Sequence, residues 1–185
     1  MRKNFVVRWL VLLTVLSCNP DKHKIIDLTQ PHFKTIPSTT LFFRNVRAPY
    51  YDKVEMYEAK MNQFRLKERN QSDTLPIINV CILEAWMRDE AYIYIEPNTF
   101  FEKEDTIWVY WRDIATDSSG TYHFSDGDRE RHYVFATQLY TSIQQKHQLS
   151  VKIKNQIVPF LDDENQREVI RKTLLDYYRL VGAVR

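Results

Sequence analysis

Glycine is scarce in this chain, with 3 residues in 185, and so is cysteine, with 2. The glycines stand at 120, 127 and 182, so neither G-x-G-x-x-G nor G-x-x-x-x-G-K can be written and the usual phosphate-cradling loops are excluded. The same scarcity, with 7 prolines, excludes collagen and low-complexity arrays. Two cysteines exclude a disulfide-stapled miniprotein. No apolar run reaches about 18 residues, so there is no ordinary transmembrane helix. Neither a G-x-S-x-G elbow nor an H-E-x-x-H pair is present. What is plentiful is apolar matter: 44% hydrophobic and 14% aromatic residues exclude a disordered chain. The length fits one domain.

The N-terminus is the most specific segment. Met1 to Arg8 carries Arg2, Lys3 and Arg8 and no acid, Trp9 to Leu16 is apolar except for Thr14, and Ser17-Cys18 follows. A basic start, a short apolar stretch and a small residue make a secretory signal over residues 1–17. With Cys directly after Val15-Leu16-Ser17, the stretch resembles a bacterial lipoprotein signal. That resemblance covers residues 1–18 and implies cleavage before Cys18, a diacylglyceryl thioether on its sulfur and acylation of the new amino end. Each buried methylene adds about 0.8 kcal/mol, so several chains anchor a protein for good. In the same family Asp directly after the lipidated Cys retains a protein at the inner membrane. Asn19 stands there instead, which implies the outer membrane with the domain facing the periplasm.

Without the signal, 23 basic residues stand against 24 acids in place of the full chain's 26. A nearly neutral mature protein has no basic stripe for nucleic acid, and no nucleic-acid partner is expected. With Cys18 lipidated, Cys81 is the only thiol left; within Ile77 to Leu83 it reads as a small buried hydrophobe.

Residues 18–40 read as anchor and tether, interrupted by Pro20, Pro31 and Pro37. Some 20 extended residues reach roughly 70 Å, and a chain beginning near Leu41 is expected to fold alone. Residues 41–185 are expected to form one α+β domain, mainly an antiparallel sheet in the first two thirds with two amphipathic helices packed on it. Strands are expected at Leu41–Arg47, Met61–Glu68, Ile77–Trp86, Ala91–Glu96, Thr106–Arg112 and Thr121–Phe124, and alternation suggests another at Ser150–Lys154. Residues 52–64 are open between helix, for Val54, Tyr57, Met61 and Phe64 fall at helical spacing, and strand; alternation of Phe64 and Leu66 with Arg65 and Lys67 favours the strand from Met61, after an irregular or briefly helical segment. The helices are expected at about 128–147 and 163–181, opened by Asp128 and Asp163 and the second closed by Gly182.

No constellation announces a reaction. His123 and His132 flank an acidic turn but lack a third converging ligand, and the acids of Asp117 to Asp128 do not follow an EF-hand pattern, so no metal or cofactor is expected. Glu84, Asp89 and Glu90 stand near Trp86, the raw material of a glycan-hydrolysing site. The distinctive feature is the aromatic load, from which Trp86, Tyr92 and Tyr94 are taken as a binding patch. The expected function is a non-enzymatic envelope lipoprotein, a subunit or adaptor of an envelope assembly or an inhibitor or immunity protein. It would hold the membrane through its lipid and a protein partner through its surface. The alternative is an envelope hydrolase acting on glycans or peptides.

Overall fold

A computed structural model describes residue 26, residues 30–102 and residues 104–184. Residues 1–17, expected to be a signal, and Cys18 lie outside the described residues. The described residues fold as two four-stranded antiparallel sheets and three α-helices around one contiguous apolar core. The α+β class therefore holds, but the layout differs from expectation. Strands run on to residue 160, and they divide into two sheets rather than one.

The first sheet is a meander of β1 (Tyr51–Met56), β2 (Met61–Leu66), β3 (Ile78–Ala85) and β4 (Glu90–Pro97). Its register places Phe64, Ile82 and Ile93 side by side on the core face, and Arg65, Cys81 and Tyr94 on the open face. The second sheet has the order β6-β5-β7-β8, with β5 (Ile107–Arg112), β6 (Ser119–Phe124), β7 (Gln148–Ile153) and β8 (Gln156–Phe160). Central β5 brings Val109 between Tyr122 and Val151, all three buried. Apolar residues on both faces of β5 suit this interior place.

Helix α1 (Pro37–Phe42) continues into a π-helical turn, Phe43–Arg47, and a 3-10 turn, Ala48–Tyr50. This replaces the strand expected over Leu41–Arg47. Pro37 is pre-set for the first helical position, and the winding turns Phe43 inward while Leu41 and Phe42 stay exposed. It also sends Arg44 to Glu84 and Arg47 to Asp176. Residues 52–56 are likewise strand rather than irregular, joined to β2 through a turn in which Lys60 takes positive φ.

Helix α2 (Arg129–Gln144) starts on Asp128, whose carboxylate accepts from the Arg131 amide. It packs along β4 and β6, so it bridges the two sheets. Helix α3 (Glu164–Leu180) starts on Asp163, which accepts from the Asn165 amide, and lies on β3 and β4. Gly182, at φ +68°, ends it: the Ala183 amide folds back to the Tyr178 carbonyl. A β-carbon at Gly182 would also meet Ile36 Cδ1 at 2.4 Å.

Residues 30–40 lie against this domain. Ala91 donates to the Phe33 carbonyl, Thr35 to that of Asp89, and Thr39 Oγ1 to that of Leu180. The Phe33 ring packs on Tyr92 and Tyr133.

Candidate functional site

The structure brings two of the three expected patch residues together. Tyr92 and Tyr94 alternate on the open face of β4, where with Met61, Leu83, Arg88 and His132 they line a shallow depression. Tyr92 is committed to the fold. Its hydroxyl donates to Glu90, its ring packs on Phe33, and the Arg129 guanidinium sits 5.5 Å above it. Tyr94 is 38% exposed and lies over the His132 ring at 4.8 Å, so it is the patch residue that solvent reaches. Trp86 is also exposed, but it belongs to the turn after β3 and lines a different furrow, with Arg44, Asn62 and Glu84.

The carboxylates near those rings have partners. Glu84, buried on the core side of β3, accepts from Arg44 and from Asn62. Glu90 pairs with Ala85 across the hairpin and so points to the opposite face from Glu84. There it is held by Lys34, Arg129 and Tyr92. Hydrogen bonds from Tyr92 and then Lys34 hold its carboxyl below the usual range. Glu84 and Glu90 therefore do not converge on one substrate position. Glu96 takes a two-pronged contact from Arg65 and an amide hydrogen from Gln63. The Gln63 amide also reaches Cys81 Sγ at 3.3 Å. Burial, with the Glu96 charge nearby, pushes the Cys81 thiol up to about 12, so it is no thiolate at neutral pH.

The two histidines beside the acidic turn separate. His123 packs tilted against Trp108 at 4.9 Å on the open face of the second sheet, whereas His132 is 4% exposed at the start of α2. Among the described residues no group of three or more His, Cys, Asp or Glu converges, and no helix is long and apolar enough to cross a membrane.

The concavity that the sequence did not reveal lies at the far end of the molecule. The loop before β3, the Thr99–Phe101 turn, the β7–β8 hairpin and the chain entering α3 enclose a cleft of about 760 Å³. Its walls are Leu75, Phe100, Ile153, Val158 and Leu161, with Glu102, Lys154 and Asp163 at the rim. That volume falls within the range of small-ligand and peptide-anchor sites, about 300–1,000 Å³. Two residues explain how it opens. Phe101 is 4% exposed while its neighbour Phe100 is 36% exposed, so one ring of the pair fills the core and the other faces the cleft. Lys154 and Asn155 both take positive φ, as a two-residue type I′ hairpin needs, and this tight turn ends the β7–β8 wall. The sequence signal was Phe100 and Leu75 placed in polar loops, where apolar side chains have little core to join.

No family model, curated protein or solved structure matches the chain, in keeping with the absence of a recognised domain pattern after residue 18.

Proposed function

We propose that this protein is a lipid-anchored, non-enzymatic binding protein of the cell envelope, held at the outer membrane through Cys18 and facing the periplasm. It serves as a subunit or adaptor of an envelope assembly or as an inhibitor or immunity protein. The observation that carries the binding role is the open apolar cleft beside α3, whose exposed Phe100 offers an anchor site to a partner side chain. Hydrolysis finds less support, because Glu84 and Glu90 face opposite sides of their sheet and each is already engaged by cations. The anchor reading rests on the basic, apolar, Ser-Cys order of residues 1–18.

Site-specific photo-crosslinking in cells tests the binding reading. The photoreactive residue p-benzoylphenylalanine replaces Phe100 in one variant and Ile114, exposed on a remote turn, in another. A single protein adduct from Phe100 and none from Ile114 is expected. No adduct at Phe100, together with release of glycan or peptide fragments by the purified protein, would overturn the proposal. For the anchor, Cys18→Ala should free the protein from membranes or leave it uncleaved. An unmodified Cys18 in mature membrane-bound protein would reject it.

A further inference from the structure

A sheet edge is a row of unpaired amides and carbonyls, and proteins guard such rows because any extended chain pairs with them. Among the described residues there are four such edges, and three of them are guarded. The β4 edge is covered by Phe33 and Thr35 at its start and by His132, which accepts from the Ile95 amide. The β1 edge carries Asp52, Lys53 and Glu55, all exposed. The β8 edge carries Pro159, which has no amide hydrogen to offer.

The β6 edge has none of these devices. The Asp113 amide donates to the Ser118 carbonyl, and in an antiparallel ladder hydrogen-bonded positions alternate. With this register Gly120, Tyr122 and Phe124 bond to β5, while the main-chain groups of Ser119, Thr121 and His123 point away from it. No strand lies beside them among the described residues, and their side chains are a hydroxyl, a second hydroxyl and an imidazole. Helix α2 runs alongside, and between it and β6 lies a trough of about 820 Å³. The helix contributes Glu130, Val134 and Gln138, a stripe at four-residue spacing, and Val134 is 49% exposed.

We propose that this trough docks an extended segment of a partner protein, which adds to β6 as a fifth strand of the second sheet. Only another main chain supplies acceptors and donors at the spacing that Ser119, Thr121 and His123 present. Charge narrows the occupant. The Thr121 and Gln138 end of the trough is uncharged, whereas Asp128, Glu130 and Arg131 stand together at the end where α2 begins. Two acids against one base complement a segment that is uncharged through its middle and basic at one end. This surface is separate from the cleft beside α3, so each stands or falls alone.

The probe is a set of nonapeptides selected from a random display library against the full-length lipidated protein in detergent. Bound peptide should slow hydrogen exchange at the Thr121 and His123 amides, which β5 does not protect. Thr121→Pro removes an outward amide hydrogen and leaves the β5 ladder whole, so it should weaken binding about ten- to a hundredfold. Thr121→Val, which keeps the amide, should stay within about threefold of wild type. Should Thr121→Pro fail to fold, the exchange pattern on the wild-type protein decides alone. Failure to select any peptide, protection at other amides, or equal binding to Thr121→Pro would overturn the proposal. So would a concentration-dependent dimer abolished by Thr121→Pro, which would make the occupant a second copy.

Discussion

His132 accepts the Ile95 amide hydrogen on Nδ1 at 3.1 Å, which assigns the ring proton to Nε2, facing Asp126 at 3.5 Å. A proton on Nδ1 would break the bond to β4. Burial lowers the folded-state pKa of His132 below its ordinary 6.5, against the opposing pull of Asp126 and Asp128. The sign follows from linkage. Stability from neutral His132 is complete above about pH 6.5 and is lost as pH falls through the lower folded value. Denaturant midpoints measured between about pH 7.5 and pH 5 should therefore fall more steeply for wild type than for His132→Phe, which keeps a ring over Tyr94 but does not titrate. Parallel pH profiles would remove His132 from this role.

The long helices were legible because each repeats one apolar stripe and starts on an aspartate, and the same holds for Gly182 as a stop. The β3–β4 hairpin was legible from two apolar runs around a short polar join. The split into two sheets was not, because a strand's pattern says which face is buried but not which strand lies beside it. Leu41 to Arg47 misled because three adjacent apolar residues suit a strand, whereas only Phe43 is buried and the helical winding is set by Pro37 and two distant acids. Strand β8 was missed because Lys154-Asn155 is not a glycine turn and Pro159 reads as a breaker. Tyr92 and Tyr94 share a face by alternation alone. That Trp86 leaves them, and that Phe100 opens a cleft, depends on contacts between distant segments.

Residues 30–40, the last part of the segment expected to be a tether, pack on the domain. Tyr177 donates to the His32 carbonyl, Tyr133 to that of Gln30, and Ile36 lies against Gly182. A chain beginning at Leu41 would take the Phe33 carbonyl from the Ala91 amide and the His32 carbonyl from the Tyr177 hydroxyl, and strip Phe33 from Tyr92. Buried donors without partners cost about 1–3 kcal/mol each. Chemical denaturation should show the shortened chain less stable by at least about 2 kcal/mol. An unchanged midpoint would restore the tether reading.

Leu174 is fully buried in the face of α3 that covers the first sheet, whereas Lys172 makes a surface ion pair with Glu68. Leu174→Ala should cost about 2–5 kcal/mol through lost transfer energy and the cavity left behind. Lys172→Ala should cost no more than about 1 kcal/mol, the ceiling for exposed pairs. If instead Leu174→Ala kept the wild-type midpoint, α3 would not be held by this stripe.

The Arg47 and Asp176 pair ties the π-helical turn to α3, and it divides a charge effect from a packing effect. Asp176 is 3% exposed, and its carboxylate accepts from Arg47 and from Tyr51. Burial raises its pKa, with the Tyr51 hydrogen bond and the Arg47 charge working against that rise. Arg47→Met keeps most of the stem's contacts but removes the cation, which strands a buried charge and should cost about 3–5 kcal/mol near neutral pH. Without Arg47 the carboxyl rises further above its ordinary range, so the variant should recover stability relative to wild type as pH is lowered from neutral and Asp176 takes up a proton. Asp176→Asn in the Arg47→Met background should restore most of the loss at neutral pH, because no buried charge then remains. A double variant as unstable as Arg47→Met alone, with no relative gain at low pH, would assign the loss to the missing stem.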